Sequence, residues 1–171
     1  MKRLIMVNGT MGAGKTATCN ELLNIVQPSV FLDGDWCWNM KPFTVTEETK
    51  ELVLENICFS LNNFLVCSEF ENIIFCWVMH QESIMDDILN RLALKDVAVY
   101  KFSLLVSKEA LTKRVGKDIA DQKRHADVLA RSIPRISLYE NMDTIKIDVS
   151  AITAKQAAEK IAVIISEEVY V

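Results

Sequence analysis

The sequence predicts an α/β domain in which a five-stranded, mainly parallel sheet carries helices on both faces. Three observations lead there. Short apolar runs alternate with segments of helical periodicity from one end of the chain to the other, and parallel neighbours can be joined only through such crossovers. The stretch "NIIFCWVM", residues 72–79, is apolar without alternation, as a strand buried on both faces requires. The chain has 171 residues, half of them apolar and a quarter charged, which suffices for one core without disulfides or a structural metal.

Taken in order, Leu4 to Val7 is a buried strand that ends at Asn8-Gly9. From Thr16 to Val26 apolar residues recur at helical spacing until Pro28 stops the pattern. "SVFLD" is the second strand, closed by Asp33-Gly34. Asp35 to Phe43 is irregular, and "TVTEE" then offers a threonine cap for a long helix from about Thr46 to Glu69. Residues 72–79 form the third strand, Gln81 to Leu94 a helix, and "VAVYKFSLLV" the fourth strand. A helix over Ser107 to Val115 leads into the charged stretch "KRVGKDIADQKRHAD", and Val128 to Tyr139 is helical again. "TIKIDV" is the last strand and Ala154 to Glu167 a closing helix. No repeat or low-complexity linker interrupts this single domain over residues 1–171.

A net charge of −4 gives no global field that would draw nucleic acid or an anionic membrane. No segment has the length of a signal h-region or a membrane span, so a cytoplasmic monomer or homodimer is expected. Cys19, Cys37, Cys58, Cys67 and Cys76 include no CxxC pair and no zinc spacing, and read as small hydrophobes.

Gly9, Gly14, Lys15 and Thr16 in "GTMGAGKT" fit G-x-x-x-x-G-K-[ST], a loop whose backbone N–H groups converge on phosphate oxygens. Lys15 is a point charge for the β- and γ-phosphates and Thr16 a hydroxyl ligand for Mg2+. Met11, Gly12, Ala13 and Ala17 belong to the same nucleotide-binding turn. The strand before it and the helix after it supply the context the mechanism needs, including the helix dipole.

Asp33 and Asp35 in "FLDGDW" stand at the carboxyl end of the second strand, the edge that also carries the glycine loop. Either could take a proton from an acceptor or hold Mg2+ through water; alternatively Asp33 is a turn residue and Asp35 a helix cap. "NIIFCWVMH" ends without the acid that a motor or switch ATPase carries after a buried strand, which favours a small-molecule kinase. Trp36, Trp38 and His80 could line the acceptor pocket, within a segment of about residues 35–70 and the turn after the third strand. Gln81 is the one residue suited to orient water in an acceptor-less signalling ATPase, the alternative reading. Arg114, Lys117, Lys123, Arg124, Arg131 and Arg135 form either a solvated face or a lid, about residues 114–127, whose cations surround the transferring charge.

Together "GTMGAGKT", "LDGD" and the arginine-rich segment resemble the P-loop kinases of the adenylate-kinase type, in particular shikimate kinase, gluconate kinase, adenylylsulfate kinase and chloramphenicol phosphotransferase. The resemblance implies the three-layer αβα P-loop NTPase fold with strand order 2-3-1-4-5, and ATP and Mg2+ as cofactors. It also implies that Arg114 packs on the adenine or reaches its phosphates, while Arg124 and Arg135 clamp the transferred group, with Arg131 a substitute for either. "WCWNMKPF" matches no nucleotide-monophosphate pocket, and no glycine-rich acceptor signature follows the third strand, so the acceptor stays open.

Overall fold

The computed structural model describes residues 1–122 and 127–167. Five strands, β1 (Lys2–Asn8), β2 (Ser29–Asp33), β3 (Asn72–Cys76), β4 (Val97–Leu105) and β5 (Ile145–Asp148), form one parallel sheet in the order β2-β3-β1-β4-β5. The helices are α1 (Lys15–Ile25), α2 (Glu47–Val66), α3 (Glu82–Asn90), α4 (Lys108–Ala120), α5 (Val128–Ser132) and α6 (Ala154–Glu167). Fold class and strand order agree with the sequence reading.

The pleat divides the core. Ile5 and Val7 of β1 point to one face with Ile74, Phe102 and Leu104, where α1, α4 and α6 bring Leu22, Leu111, Val115 and Ile161. Leu4 and Met6 point to the other with Ile73 and Phe75, against Val53, Ile57 and Leu61 of α2 and Met85 and Ile88 of α3. Strands β1 and β3 are therefore apolar on both faces. All five cysteines are free thiols, three of them buried in this core.

Some boundaries differ from expectation for reasons that bear on the site. β3 ends at Cys76, three residues short of the apolar run. There the side chain of buried Asn8 takes over from the ladder: its Nδ2 donates to the Met79 carbonyl (2.7 Å), and its Oδ1 accepts from the Met79 N–H (2.9 Å) and from Gly9 N–H (2.8 Å). Trp77 instead turns under Gly34, where an added Cβ would lie 2.6 Å from the indole. α2 starts behind a capping box in which Thr46 is answered by Thr49.

α4 runs to Ala120, five residues past the expected end, with Leu111 and Val115 buried. The first half of the expected lid is thus packed helix. Helical pattern from Val128 to Tyr139 is correct up to Ser132; Pro134, which has no N–H for the ladder, falls in a 3-10 segment, Ile133–Tyr139.

The register sets the working edge. Asp33 lies level with Cys76 and Cys76 with Val7, so Asp33 stands two strands away, about 10 Å, from the start of the glycine loop.

Candidate nucleotide and acceptor site

The glycine loop leaves β1 at Asn8 and enters α1 through Gly14, whose φ of 101° is left-handed. Gly12 (φ +86°) is pressed against α4, where a Cβ would meet Val115 at 2.5 Å and Leu111 at 2.9 Å. Gly12 therefore seats the loop on α4, a role the spacing of the motif does not reveal. The Thr10 hydroxyl donates to the Ser132 carbonyl (2.9 Å) and ties the loop to α5. Lys15, only 9% exposed, folds back across the loop and donates to the carbonyls of Gly9 (3.0 Å) and Thr10 (3.2 Å).

Met11, Gly12, Gly14, Lys15, Thr16 and Ala17 border a cleft of about 480 Å³. Gly9 does not. Its N–H is taken by Asn8 and its carbonyl by Lys15, so it shapes the loop from behind. Ala13 faces the other way, into a cavity of about 260 Å³ with Thr18, Val149 and Ala157. Arg114 stands between these two spaces. Its guanidinium donates to the carbonyls of Ala13 (3.2 Å), Val149 and Ile152 (3.4 Å), which staples the loop to the β5–α6 connection. These bonds come from Nη1 and Nη2, and the side chain still borders the cleft.

The two acids separate by role. Asp33 is 4% exposed, accepts the Thr16 hydroxyl on Oδ2 (2.6 Å) and the Asp35 N–H on Oδ1 (3.0 Å), and so caps the 3-10 turn Gly34–Trp38. Both carboxylate oxygens are in use. Asp35, exposed, borders the loop cleft and also a larger cavity of about 660 Å³. Trp36 and Trp38 line that cavity with Phe43, as do Arg131 and Arg135. Trp36 is 56% exposed and set edge-on to Phe31 at 5.3 Å, and Trp38 tilts against Phe43 at 5.7 Å.

Arg131 is held by Asp127 at 3.0 Å. Arg135 makes no ion pair among the described residues. Its charge bears on two neighbours, the half-buried His80 imidazole, whose pKa desolvation lowers and Arg135 lowers further, and the buried Tyr139 hydroxyl, whose pKa burial raises. His80 Nδ1 and Tyr139 Oη are buried with no hydrogen-bond partner. His80 thus sits beside Arg135 rather than on the cavity wall. Gln81, exposed at the head of α3, borders neither the cleft nor the cavity. Arg124 lies outside the described residues.

Five lining residues escaped the sequence reading. Asn20 and Asp118 reach the cleft one helical turn after Thr16 and Arg114, an i+4 spacing that could have found them. Asn39, Phe43 and Val78 line the larger cavity and carry no sequence signal of their own.

A family model described as an AAA domain matches residues 5–133, well over half of the chain. The chain belongs to the AAA domain family. The part of this AAA domain that the match spans includes the phosphate loop, both acids and Arg131, and ends before Arg135. No curated protein sequence matches the chain. Among solved structures, the Deinococcus radiodurans tunicamycin resistance protein superposes with a TM-score of 0.70 at 16% identity, over 96% of each chain. A gluconokinase from Sinorhizobium meliloti gives 0.69 at 16% identity, over 97% of this chain and 94% of that one. Shikimate kinase from Acinetobacter baumannii, in complex with shikimate, gives 0.64 at 18%, over 98% and 95%. The AAA domain therefore has the fold of P-loop small-molecule kinases.

A hydroxyl backed by a carboxylate is a hard oxygen donor set, which suits Mg2+, an ion that takes few protein ligands when phosphates complete its shell. No helix of the described residues is long and apolar enough to cross a membrane.

Proposed function

We propose that the protein is an ATP-dependent phosphotransferase that moves the γ-phosphoryl group of ATP to a hydroxyl or phosphate of a small molecule in the cytoplasm. One observation carries this reading: Met11 and Asp35 border both the phosphate-loop cleft and the aromatic-walled cavity, so that a donor in one and an acceptor in the other meet at a carboxylate.

The loop amides and Lys15 would hold the β- and γ-phosphates, with the adenine directed toward the small cavity beyond Ala13 and Arg114. Mg2+, when bound, would neutralise phosphate charge; Thr16 would ligate it and Asp33 orient Thr16. Asp35 would accept the acceptor's proton as its oxygen forms a bond to the γ-phosphorus and the bond to the β–γ bridging oxygen breaks, leaving ADP. Arg131 and Arg135 would answer the charge on the acceptor side, and by the family resemblance Arg124 would help clamp the transferred group. A signalling ATPase would need a group that orients water at the cleft, and Gln81 is not on it.

Lys15→Ala tests the donor half. It should lower ATP turnover or affinity at least about tenfold, as expected for removal of a charge-assisted phosphate contact, with an unchanged circular dichroism spectrum. Intact ATP binding and turnover in that variant would contradict the loop assignment.

A further inference from the structure

We propose that the acceptor is a hydroxylated aromatic acid, with its ring between Trp36, Trp38 and Phe43, its acid group on Arg135 and Arg131, and its hydroxyl at Asp35. This names the substrate class of the proposed phosphotransferase and rests on that reading.

The cavity's composition argues for each part. Three aromatic side chains line it, Trp36 and Phe43 with large exposed faces and Trp38 partly buried against the core, and such faces gain most by covering a flat apolar ring. Among the described residues Asn39 is the one neutral amide on the lining. An open-chain polyol would leave most of its hydroxyls facing indole and unpaired, a mismatch that costs far more than a missing methylene.

The lining also carries cations. Among the described lining residues two arginines, Arg131 and Arg135, stand against one carboxylate, Asp35, so the lining itself is net positive in a protein of net charge −4. Arg131 is partly answered by Asp127, whereas Arg135 has no acidic partner among the described residues. Its neighbours bring no negative charge: the half-buried His80 holds a buried Nδ1 and Tyr139 a buried hydroxyl, each without a hydrogen-bond partner. An acidic ligand would answer Arg135, and a neutral one would leave a desolvated guanidinium uncompensated.

Asp35 then fixes the direction of binding. A carboxylate at the mouth shared with the loop cleft repels an acid there and favours a hydroxyl, so the acid end goes to the arginines and the hydroxyl to the donor. At about 660 Å³ the space lies within the usual range for a ring-bearing small molecule. In the transfer the hydroxyl oxygen gains the phosphoryl group, its proton passes to Asp35, and ADP leaves. The acid at the other end takes no part in bond making.

Carboxylate and phosphate satisfy the arginines equally, and the experiment separates them. ADP release by the full chain is measured with ATP, Mg2+ and three pools: aromatic hydroxy acids, split into hydroxybenzoates and hydroxyphenyl phosphates; the same scaffolds without the acid, phenols; and non-aromatic hydroxy acids, gluconate, glycerate and shikimate. The first pool should stimulate release and quench tryptophan fluorescence, and the half that does so says whether the acid is carboxylate or phosphate. Stimulation by the second or third pool at or above the first overturns the acceptor class and leaves the phosphotransferase reading standing. Stimulation by none overturns both.

Arg135→Ala should raise the KM of the active acceptor about tenfold, the scale of one lost charge-assisted contact, with a change in kcat below about threefold. Arg135→Lys should recover part of the loss. An unchanged KM in Arg135→Ala would show that the acid is held elsewhere and overturn the assignment.

Discussion

Asp33 and Asp35 are two residues apart and chemically identical, yet the fold gives them different work. Asp33 is buried with both oxygens hydrogen-bonded, one to Thr16 and one to the turn that presents Asp35. Removing its charge should act through Thr16. Asp33→Asn is therefore expected to raise the Mg2+ concentration needed for half-maximal turnover about tenfold, a typical cost for disturbing a residue that orients a metal ligand; a Mg2+ titration at saturating ATP checks this. In the sequence the pair was legible as chemistry and not as a division of labour, because which carboxylate is occupied depends on where Thr16 falls across β3 and β1. The same limit applies to Arg114, which the family resemblance sets against the nucleotide and the structure sets against three backbone carbonyls.

Among the elements, β3 shows how a side chain can end a strand. The apolar run 72–79 has no break in hydropathy, so pattern alone extends it, but Asn8 intercepts the Met79 backbone and holds the loop and the end of β3 in one arrangement. Asn8→Ala would leave the Met79 N–H and carbonyl and the Gly9 N–H without a partner in a dry environment. A loss of about 3 kcal/mol in denaturant unfolding is expected, from about 1–3 kcal/mol for each buried group left unpaired, together with weaker ATP binding. α4 was underestimated for the opposite reason. Its charged second half looked like a lid, whereas Leu111 and Val115 pack against Gly12 and keep the helix going. α6 was read to the residue over Ala154–Glu167, whereas α2 ends at Val66, three residues short of the expected Glu69.

At the scale of the whole molecule, the strict alternation of strand and helix determined the sheet, and the sheet places loop, acids and aromatic cavity along its carboxyl edge. The loop cleft was legible because a phosphate loop has a fixed spacing. The lining of the aromatic cavity was legible only as residue types, since it is assembled from the 3-10 turn, the end of β3 and the segment from α5 onward, which no local pattern joins. This assembly has a pH signature. His80 is half-buried beside Arg135; desolvation and the nearby cation hold its pKa below the ordinary 6.5, so folding favours the neutral ring. The unfolded chain then binds more protons, and stability, full above about pH 6.5, falls as the pH drops below that value. Asp143 and Asp148 have lowered pKa values and lose their contribution only in more acidic solution, as the pH falls through those values. Thermal unfolding between pH 7.5 and 5.5 should show the fall, and His80→Gln should flatten it.

The claim on which the rest depends is that donor and acceptor meet at Asp35. Transfer of radiolabelled γ-phosphate from ATP to an acceptor that stimulates the protein, measured for the natural chain and for Asp35→Asn, tests it most directly. The account predicts label in the acceptor with the natural chain and a fall in transfer of about 10²–10⁴-fold in the variant, the usual contribution of a general base, with ATP affinity unchanged. Equal transfer in both proteins, or label appearing only as inorganic phosphate, would contradict it.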